Sequence, residues 1–342
     1  MLGKSSQAIS NSDKSPFHRL QNKRFNRSRH NISKSVRDVI LTSWRHSTQK
    51  QYDTYLKQWS KFCEDRQRTE HRPSVSLGLD FLYSLHQKGL GYSAINTARS
   101  ALSSFMSINH IDFGSHKLVC QFMKGIFNIK PSLPKHAAIW DPNLVLLYLK
   151  QLSPCTRLSL KLLTFKVVTL LALLSVQRRQ TLHAITVDSI SFTEEYVKII
   201  VESPLKCSRP TWHLAPMLFR RFDTHKRLCV YRYLREYLSR TASLRNNSRK
   251  LFISYQKPYH AISKSTLSRW ICVVLRRSGV NLDVYSAHST RAASASKAFI
   301  HLSIDKVLAA GGWSSSSSFL KHYNLECVQT PVQQAMLSSL PQ

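Results

Sequence analysis

Acidic side chains are scarce in this sequence. Only 18 aspartates and glutamates accompany 50 lysines and arginines, so the 342-residue chain carries a net charge of +32. A surface this positive attracts polyanions at long range and binds them with release of counterions. Nucleic acid is therefore the first candidate partner. An anionic membrane surface is the second, but no basic amphipathic helix accompanies the charge.

Cysteine and histidine do not form the pairs that metal sites or disulfide frameworks need. The seven cysteines lie far apart, with no Cys-x-x-Cys, and the 15 histidines show no His-Glu-x-x-His or other ligand spacing. We therefore expect reduced thiols, as in the cytosol or nucleus, and neither a metal nor a cofactor.

Long apolar runs are also missing. The longest, near Val167–Leu174, is too short to span a bilayer, and the N-terminus has no apolar signal core. Hydrophobic residues still make up 42% of the chain, which is too much for a disordered protein. We expect a folded protein of two domains with no membrane partner.

The composition divides the chain into three regions. Residues 1–35 are polar, serine-rich and basic, so we expect a disordered arm that touches DNA phosphates, carries a nuclear import signal or has no role. Residues 36–131 and 132–342 are predicted to form two domains, with a proline-rich, basic linker at 128–142. The last region has 29 basic and 10 acidic side chains, net +19, so it is expected to bind most of any polyanion.

Apolar periodicity predicts helices in both domains. After Ser47, four aromatic residues recur at steps of 3, 4 and 3, the spacing of one helix face: Tyr52, Tyr55, Trp59 and Phe62. Further helices are predicted over 76–87, from 93, and over 118–127, 141–152, 157–177, 222–244 and 263–280. Short strands are predicted over 196–203, 211–217 and 250–254. The expected fold class is mainly α with a small antiparallel sheet.

The segment Ala287–Asn324 combines bulky polar side chains with small residues and serine. Opening a phosphodiester without a metal requires cations on the non-bridging oxygens, a proton donor for the leaving oxygen and a nucleophile. His288 and Arg291 stand three residues apart and share a helix face. Trp313 offers an indole N–H, and Tyr323 offers a hydroxyl whose nucleophilicity nearby cations would raise.

In order and spacing, these residues resemble the C-terminal motif of the tyrosine recombinases, the phage-integrase family. The stretches "HSTR", "GGW" and "FLKHYN" resemble the family's His-x-x-Arg, His-or-Trp and tyrosine positions. Upstream, "LLALLSVQRRQTLHAI" resembles the family's Gly-x-Arg-x-x-Glu-Leu turn, with Thr181 in place of the acidic residue and Arg179 as an alternative arginine. "SPLKCSRP" resembles the hairpin that carries a lysine. The matching residues are Arg178, Lys206, His288, Arg291, Trp313 and Tyr323.

This resemblance implies a tyrosine-recombinase catalytic domain preceded by a helical, SAM-like core-binding domain. It implies that Tyr323 attacks a DNA phosphate and forms a 3′-phosphotyrosyl link. Arg178 and Arg291 would hold the phosphate oxygens, and Lys206 would protonate the leaving 5′ oxygen. The matching histidine would assist proton transfer, and the tryptophan would donate a hydrogen bond.

The implied partners are double-stranded DNA and three further copies of the chain, as a homotetramer in a synaptic complex, with no small-molecule substrate. The stretch "GGWSSSSSFLKHY" most resembles recombinases of eukaryotic mobile elements, such as DIRS-type retroelements and cryptons. That likeness implies integration of a mobile element in the nucleus. Two other functions stay open: DNA relaxation by type IB topoisomerase chemistry, and DNA binding by a domesticated copy that has lost catalysis.

Overall fold

The computed structural model describes residues 15–27, 32–69, 74–131, 139–206, 208–210 and 213–323. The chain separates into two units, residues 1–134 and 135–342. This boundary lies three residues after the one predicted from composition, within the predicted linker, whose residues 132–138 lie outside the described ranges. Within those ranges, no helix is long and apolar enough to cross a membrane.

The first unit is helical around an aromatic core. Its elements are α1 (Pro16–Arg27), α2 (Lys34–Leu41), α3 (His46–Glu64), α4 (Val75–Gln87), α5 (Tyr92–Ser103), β1 (Ser107–Ile108), β2 (Ile111–Asp112) and α6 (Lys117–Ile129). Trp59 and Phe62 are buried, and each ring packs edge-on against Phe81 at 5.4 Å between centroids. Tyr52 and Tyr55 pack half-buried against the same core, as the helical spacing predicted.

The predicted disordered arm is wrong over residues 16–27, which form α1. Phe17 and Leu20 lie in the core of the first unit with 0% and 1% of their surface exposed. Asp53 on α3 accepts a hydrogen bond from the Phe17 N–H at 2.8 Å, which stabilises the start of α1. The apolar positions of α1 are few and lie among basic residues, so the local sequence does not distinguish them from a solvated tail. Of the rest of the predicted arm, residues 1–14 and 28–31 lie outside the described ranges, and Lys34 and Ser35 begin α2.

The second unit is built on one buried helix. Its elements are α7 (Pro142–Gln151), α8 (Leu160–Leu174), α9 (Arg179–Ala184), β3 (Ile190–Phe192), β4 (Tyr196–Ile199), β5 (Met217–Arg220), α10 (Val230–Thr241), α11 (Lys264–Arg277), α12 (Ser289–Phe299), α13 (Ile304–Gly311) and α14 (Ser316–His322). Every residue from Leu163 to Leu173 on α8 is buried, and α10, α11 and α12 pack around it. Such all-round burial explains the nearly continuous apolar sequence of α8.

A three-stranded antiparallel sheet, in the order β3-β4-β5, completes the second unit. Val197 pairs with Phe219 and Ile199 with Met217, and all four side chains are buried. The alternation of buried and exposed positions gives the sheet one core face. The predicted fold class, mainly α with a small antiparallel sheet, is confirmed.

Strand positions differ from the sequence prediction in several places, and the short strands β1 and β2 were not predicted. The strand predicted over 211–217 begins at Met217, while residues 211 and 212 lie outside the described ranges. The strand predicted over 250–254 is reduced to isolated bridges, and β3 was not predicted. Strands this short depend on pairing with distant residues, which a local pattern does not contain.

Candidate active site

The structure places five of the six predicted site residues at or near the ends of helices in the second unit, and the sixth between two strands. The six are Arg178 at the N-cap of α9, Lys206 between β4 and β5, His288 at the N-cap of α12, Arg291 in the first turn of α12, Trp313 after α13 and Tyr323 at the C-cap of α14. Four of them converge by side-chain contact. Arg178 and Lys206 are close enough for their charges to act on His288.

Arg291 is the buried centre of the site, with 2% of its surface exposed. Its Nη1 donates to the carbonyl of Val176 and its Nη2 to the carbonyl of Gly311, both at 2.8 Å. These bonds connect α12 to the turn before α9 and to the end of α13. Because a buried charge requires such partners, the two carbonyls hold the guanidinium in one orientation.

Trp313 covers one face of that guanidinium. The Arg291 Cζ lies 3.7 Å from the centroid of the indole, within cation–π distance. A Cβ on Gly311 would lie 1.7 Å from Trp313 Cζ3, so only glycine leaves room for the indole. The buried Nε1–H of Trp313 has no hydrogen-bond partner among the described residues, which costs about 1–3 kcal/mol.

Tyr323 is half-buried beside these two side chains. Its ring meets that of Trp313 edge-on at 4.9 Å and that of His288 at 6.3 Å between centroids, and Arg291 Cζ lies 5.2 Å from its centroid. Ser296 Oγ on α12 donates to the Tyr323 carbonyl at 2.6 Å. The end of α14 is therefore held against α12, and the phenol stands next to the cation.

The turn that carries Arg178 has an unusual backbone. Val176 has φ of 56°, in the left-handed region, which a β-branched residue rarely adopts. The turn ends α8 at Leu174, three residues before the predicted end, and points the Val176 carbonyl at Arg291. The buried side chain of Gln177 donates to the carbonyl of Ala310, which fixes the turn to the end of α13.

Lys206 lies exposed in the segment between β4 and β5. Three residues on, Arg209 Nη2 donates to Ser314 Oγ at 3.4 Å, next to Trp313. This contact brings the lysine segment to the site, in agreement with its predicted position beside the strands.

Burial and nearby positive charge both act on His288. Its pKa is lowered by desolvation and then by four cations: Arg291, Arg179, Arg178 and Lys206. An imidazole held below its ordinary pKa is neutral at pH 7 and can accept a proton or a hydrogen bond. The arrangement therefore brings together several cations, a neutral imidazole and a phenol, which are the groups that phosphoryl transfer to a tyrosine requires.

Several residues that build the site were not predicted as part of it. Gln177 fixes the turn before Arg178, Ser296 bonds to the Tyr323 carbonyl, and Gly311 leaves room for Trp313. The small residues of "AASASKA" are the local signal for such a role, since small side chains allow α12 to pack closely, and Ala292–Ser296 are buried. Where the structure describes the chain, no group of three or more His, Cys, Asp or Glu residues is placed to hold a metal ion.

Comparison with known families identifies the first unit. Residues 39–108, which include α3, α4 and α5, match the N-terminal SAM-like domain of phage integrases. No curated protein matches the sequence.

Solved structures match the whole chain. It is similar to the XerH site-specific recombinase bound to palindromic difH substrate in a post-cleavage complex, with 14% identity, a TM-score of 0.58, and coverage of 95% of this chain and 94% of that one. It is similar to the Tn1549 transposon integrase in complex with transposon right end DNA, with 12% identity, a TM-score of 0.58, and coverage of 95% and 98%. A lambda integrase tetramer bound to a Holliday junction matches with 13% identity, a TM-score of 0.54, and coverage of 96% and 84%. The chain therefore has the tyrosine-recombinase fold, beginning with a SAM-like domain of the phage-integrase type.

Proposed function

We propose that this protein is a site-specific tyrosine recombinase, which cuts and rejoins double-stranded DNA through a 3′-phosphotyrosyl intermediate. The observation that carries the proposal is the contact of Tyr323 with Arg291, Trp313 and His288. The fold supports it, as do the net charge of +32 and the DNA bound in the similar structures.

Cleavage begins with attack of the Tyr323 hydroxyl oxygen on the scissile phosphorus. The phenolic proton passes to the neutral imidazole of His288, and the new bond joins the tyrosine to the 3′ phosphate. Arg178 and Arg291 stabilise the negative charge that develops on the phosphate oxygens. The buried Trp313 N–H supplies a hydrogen bond to one of these oxygens.

The bond from phosphorus to the 5′ oxygen breaks as the new ester forms. Lys206 gives a proton to that oxygen, so the strand leaves as a 5′ hydroxyl. Attack of another 5′ hydroxyl on the phosphotyrosine reverses the step and joins the strands. Because the ester conserves the bond, the exchange needs no high-energy cofactor.

We also propose that four protomers act together in a synaptic complex, for which the lambda integrase tetramer on a Holliday junction is a precedent of the same fold. We propose integration of a eukaryotic mobile element in the nucleus as the context. The support for this context is the likeness of "GGWSSSSSFLKHY" to such recombinases.

The deciding variant is Tyr323→Phe. It removes one oxygen and no charge, so it should abolish the covalent protein–DNA adduct while duplex affinity stays within about twofold of wild type. Cleavage is measured by recovering denaturant-resistant protein–DNA adducts from a pool of nicked duplexes of random sequence. Binding is measured separately by fluorescence anisotropy.

Tyr255→Phe is the matched control. Tyr255 is a half-buried tyrosine of the same unit that packs on Phe165 and Trp270, and its loss should leave the adduct intact. An adduct that survives in Tyr323→Phe would show that another residue is the nucleophile. A wild-type protein that binds DNA but never forms an adduct would favour a DNA-binding protein without catalysis. Cleavage and relaxation of supercoils without synapsis would favour a type IB topoisomerase.

A further inference from the structure

A second arginine stands beside Arg178 and is held in place by a different helix. Arg179 is exposed, and its Nη1 donates to Ser268 Oγ on α11 at 2.8 Å. The bond fixes a long side chain at the rim of the site, although no acidic group holds it there. A hydroxyl leaves the charge of the guanidinium uncompensated, so the group remains available to an anion.

A second cation, Lys264, lies further along the contact of α9 with α11. His183 lies one turn after Arg179 on α9 and makes a 2.9 Å hydrogen bond to the carbonyl of Ile262, just before α11. Lys264 is the exposed first residue of α11, and Ser268 bonds back to its carbonyl. Lys264 therefore lies on the same side of the α9–α11 contact as Arg179.

Lys250 extends the row past the end of α9. The backbone of this segment pairs with the residues that follow α9, because Leu251 N–H bonds to the Ile185 carbonyl and Val187 N–H to the Arg249 carbonyl. Lys250 itself forms a bridge with Thr186. The charges of Lys250 and Lys264 both lower the pKa of His183, after the larger effect of desolvation, which agrees with this placement.

The protein does not neutralise this row. Among the residues that the structure describes, neither Arg179, Lys250 nor Lys264 forms an ion pair, whereas the neighbouring Arg249 is paired with Asp188. The six residues of α9 span about 9 Å, comparable to the axial rise of roughly three phosphates of one DNA strand. Three uncompensated cations that follow one another along the α9–α11 contact fit a phosphodiester chain better than a single small anion.

We propose that Arg179, Lys264 and Lys250 form a phosphate track that carries one DNA strand away from the candidate active site. Arg179, positioned by Ser268, is its first contact. The proposal rests on the proposed function, since it requires DNA at Arg178. The track contacts the backbone and reads no base sequence, so it adds affinity for every duplex.

The experiment compares the salt dependence of duplex binding for full-length variants. Each variant is titrated into a labelled duplex of arbitrary sequence. Fluorescence anisotropy measures the affinity at salt concentrations between about 50 and 200 mM KCl. The triple variant Arg179→Ala, Lys250→Ala, Lys264→Ala should lower the slope of log affinity against log salt by about 0.9 for each side chain. Arg179→Lys keeps the charge and should keep the slope. Ser268→Ala also keeps the charge, so it should lower affinity severalfold at an unchanged slope.

Lys150→Ala and Arg232→Ala are the matched controls. Both residues are exposed, on α7 and α10, and neither is among the charges that act on His183 or His288. Their slopes should equal that of wild type. A triple variant with the wild-type slope and an unchanged thermal unfolding curve would overturn the track, as would controls that lower the slope equally. Failure of the proposed function looks different: wild type would not bind the duplex, or would bind it without forming an adduct.

Discussion

Val176 adopts a left-handed backbone conformation, with φ of 56°, although it is β-branched and its side chain is buried. Glycine occupies this position in the Gly-x-Arg pattern that the sequence resembles. A left-handed conformation costs an ordinary residue about 1–2 kcal/mol. This strain is retained because the same turn directs the Val176 carbonyl to Arg291 and positions Arg178.

Substitution of Val176 by alanine and by glycine separates the backbone from the side chain. Both variants lose the buried isopropyl group, so both should be less stable than wild type. At a site with ordinary backbone angles, a glycine variant is less stable than the alanine variant by about 1 kcal/mol of unfolding free energy. At Val176 the glycine variant should be at least as stable as the alanine variant. Urea unfolding of the two variants measures the difference. A glycine variant that unfolds about 1 kcal/mol more easily would contradict the left-handed turn.

Lys166 lies inside the second unit with 0% of its surface exposed. Its Nζ donates to the Leu152 carbonyl at 2.6 Å and lies 3.7 Å from the centroid of the Tyr233 ring. Desolvation lowers the pKa of Lys166 to about 7. Between that value and its ordinary 10.5, the folded protein therefore holds a neutral amine while the unfolded chain holds a charged one.

The unfolded state thus binds the extra proton, and stability must rise with pH across this window. Wild type should gain at most about 1.4 kcal/mol per pH unit above pH 7 from Lys166, and below pH 7 this dependence disappears while the desolvation cost is greatest. Lys166→Met should remove the dependence and be most stabilising at pH 7 and below. Urea unfolding at several pH values measures it, with the exposed Lys161→Met as control. Equal pH profiles for wild type and Lys166→Met would exclude a neutral buried amine.

At the scale of elements, α1 extends the first unit beyond the segment that matches the phage-integrase domain. Its contact with α3 includes Phe17, whose ring lies 6.1 Å from that of Tyr52 between centroids. Gln21, also buried, donates to the Ser104 carbonyl after α5 at 2.8 Å. A basic segment therefore serves as part of the core as well as part of the charged surface.

Phe17→Ala tests the packing of α1. Loss of a fully buried phenyl group should cost about 3–5 kcal/mol of the free energy of unfolding. Thermal unfolding of the full chain measures it, with Arg19→Ala as the exposed control on the same helix, for which the change should be within about 0.5 kcal/mol. If Phe17→Ala and Arg19→Ala unfold alike, α1 does not belong to the core.

At the scale of the whole molecule, the net charge of +32 predicts that the proposed association with DNA depends strongly on salt. A duplex bound through about 6–10 phosphates should lose about 10³–10⁵ in affinity between 50 and 200 mM salt, whatever its sequence. Anisotropy with two duplexes of unrelated sequence measures this loss. A neutral osmolyte at matched osmolality is the control and should leave affinity unchanged. A flat salt titration would contradict an electrostatic mode of binding.

The sequence alone determined those properties that arise from charge, order and local periodicity. The net charge can be counted without knowing the fold. The helices α3 to α6 follow from apolar spacing within one or two turns. The six candidate site residues were predicted from their order and spacing along the chain. Their order is informative because five of the six stand at or near the end of a helix, where a short motif contains both the side chain and the turn. The catalytic roles of these residues remain a prediction.

Only the tertiary structure decided what depends on contacts between distant residues. The burial of Phe17, the left-handed turn at Val176 and the carbonyls that hold Arg291 are each fixed by partners 20 or more residues away or by the space around them. The strands β3 and β5 likewise exist because β4 pairs with both. Such interactions stabilise one conformation among several that the local sequence allows equally, so no short pattern identifies them.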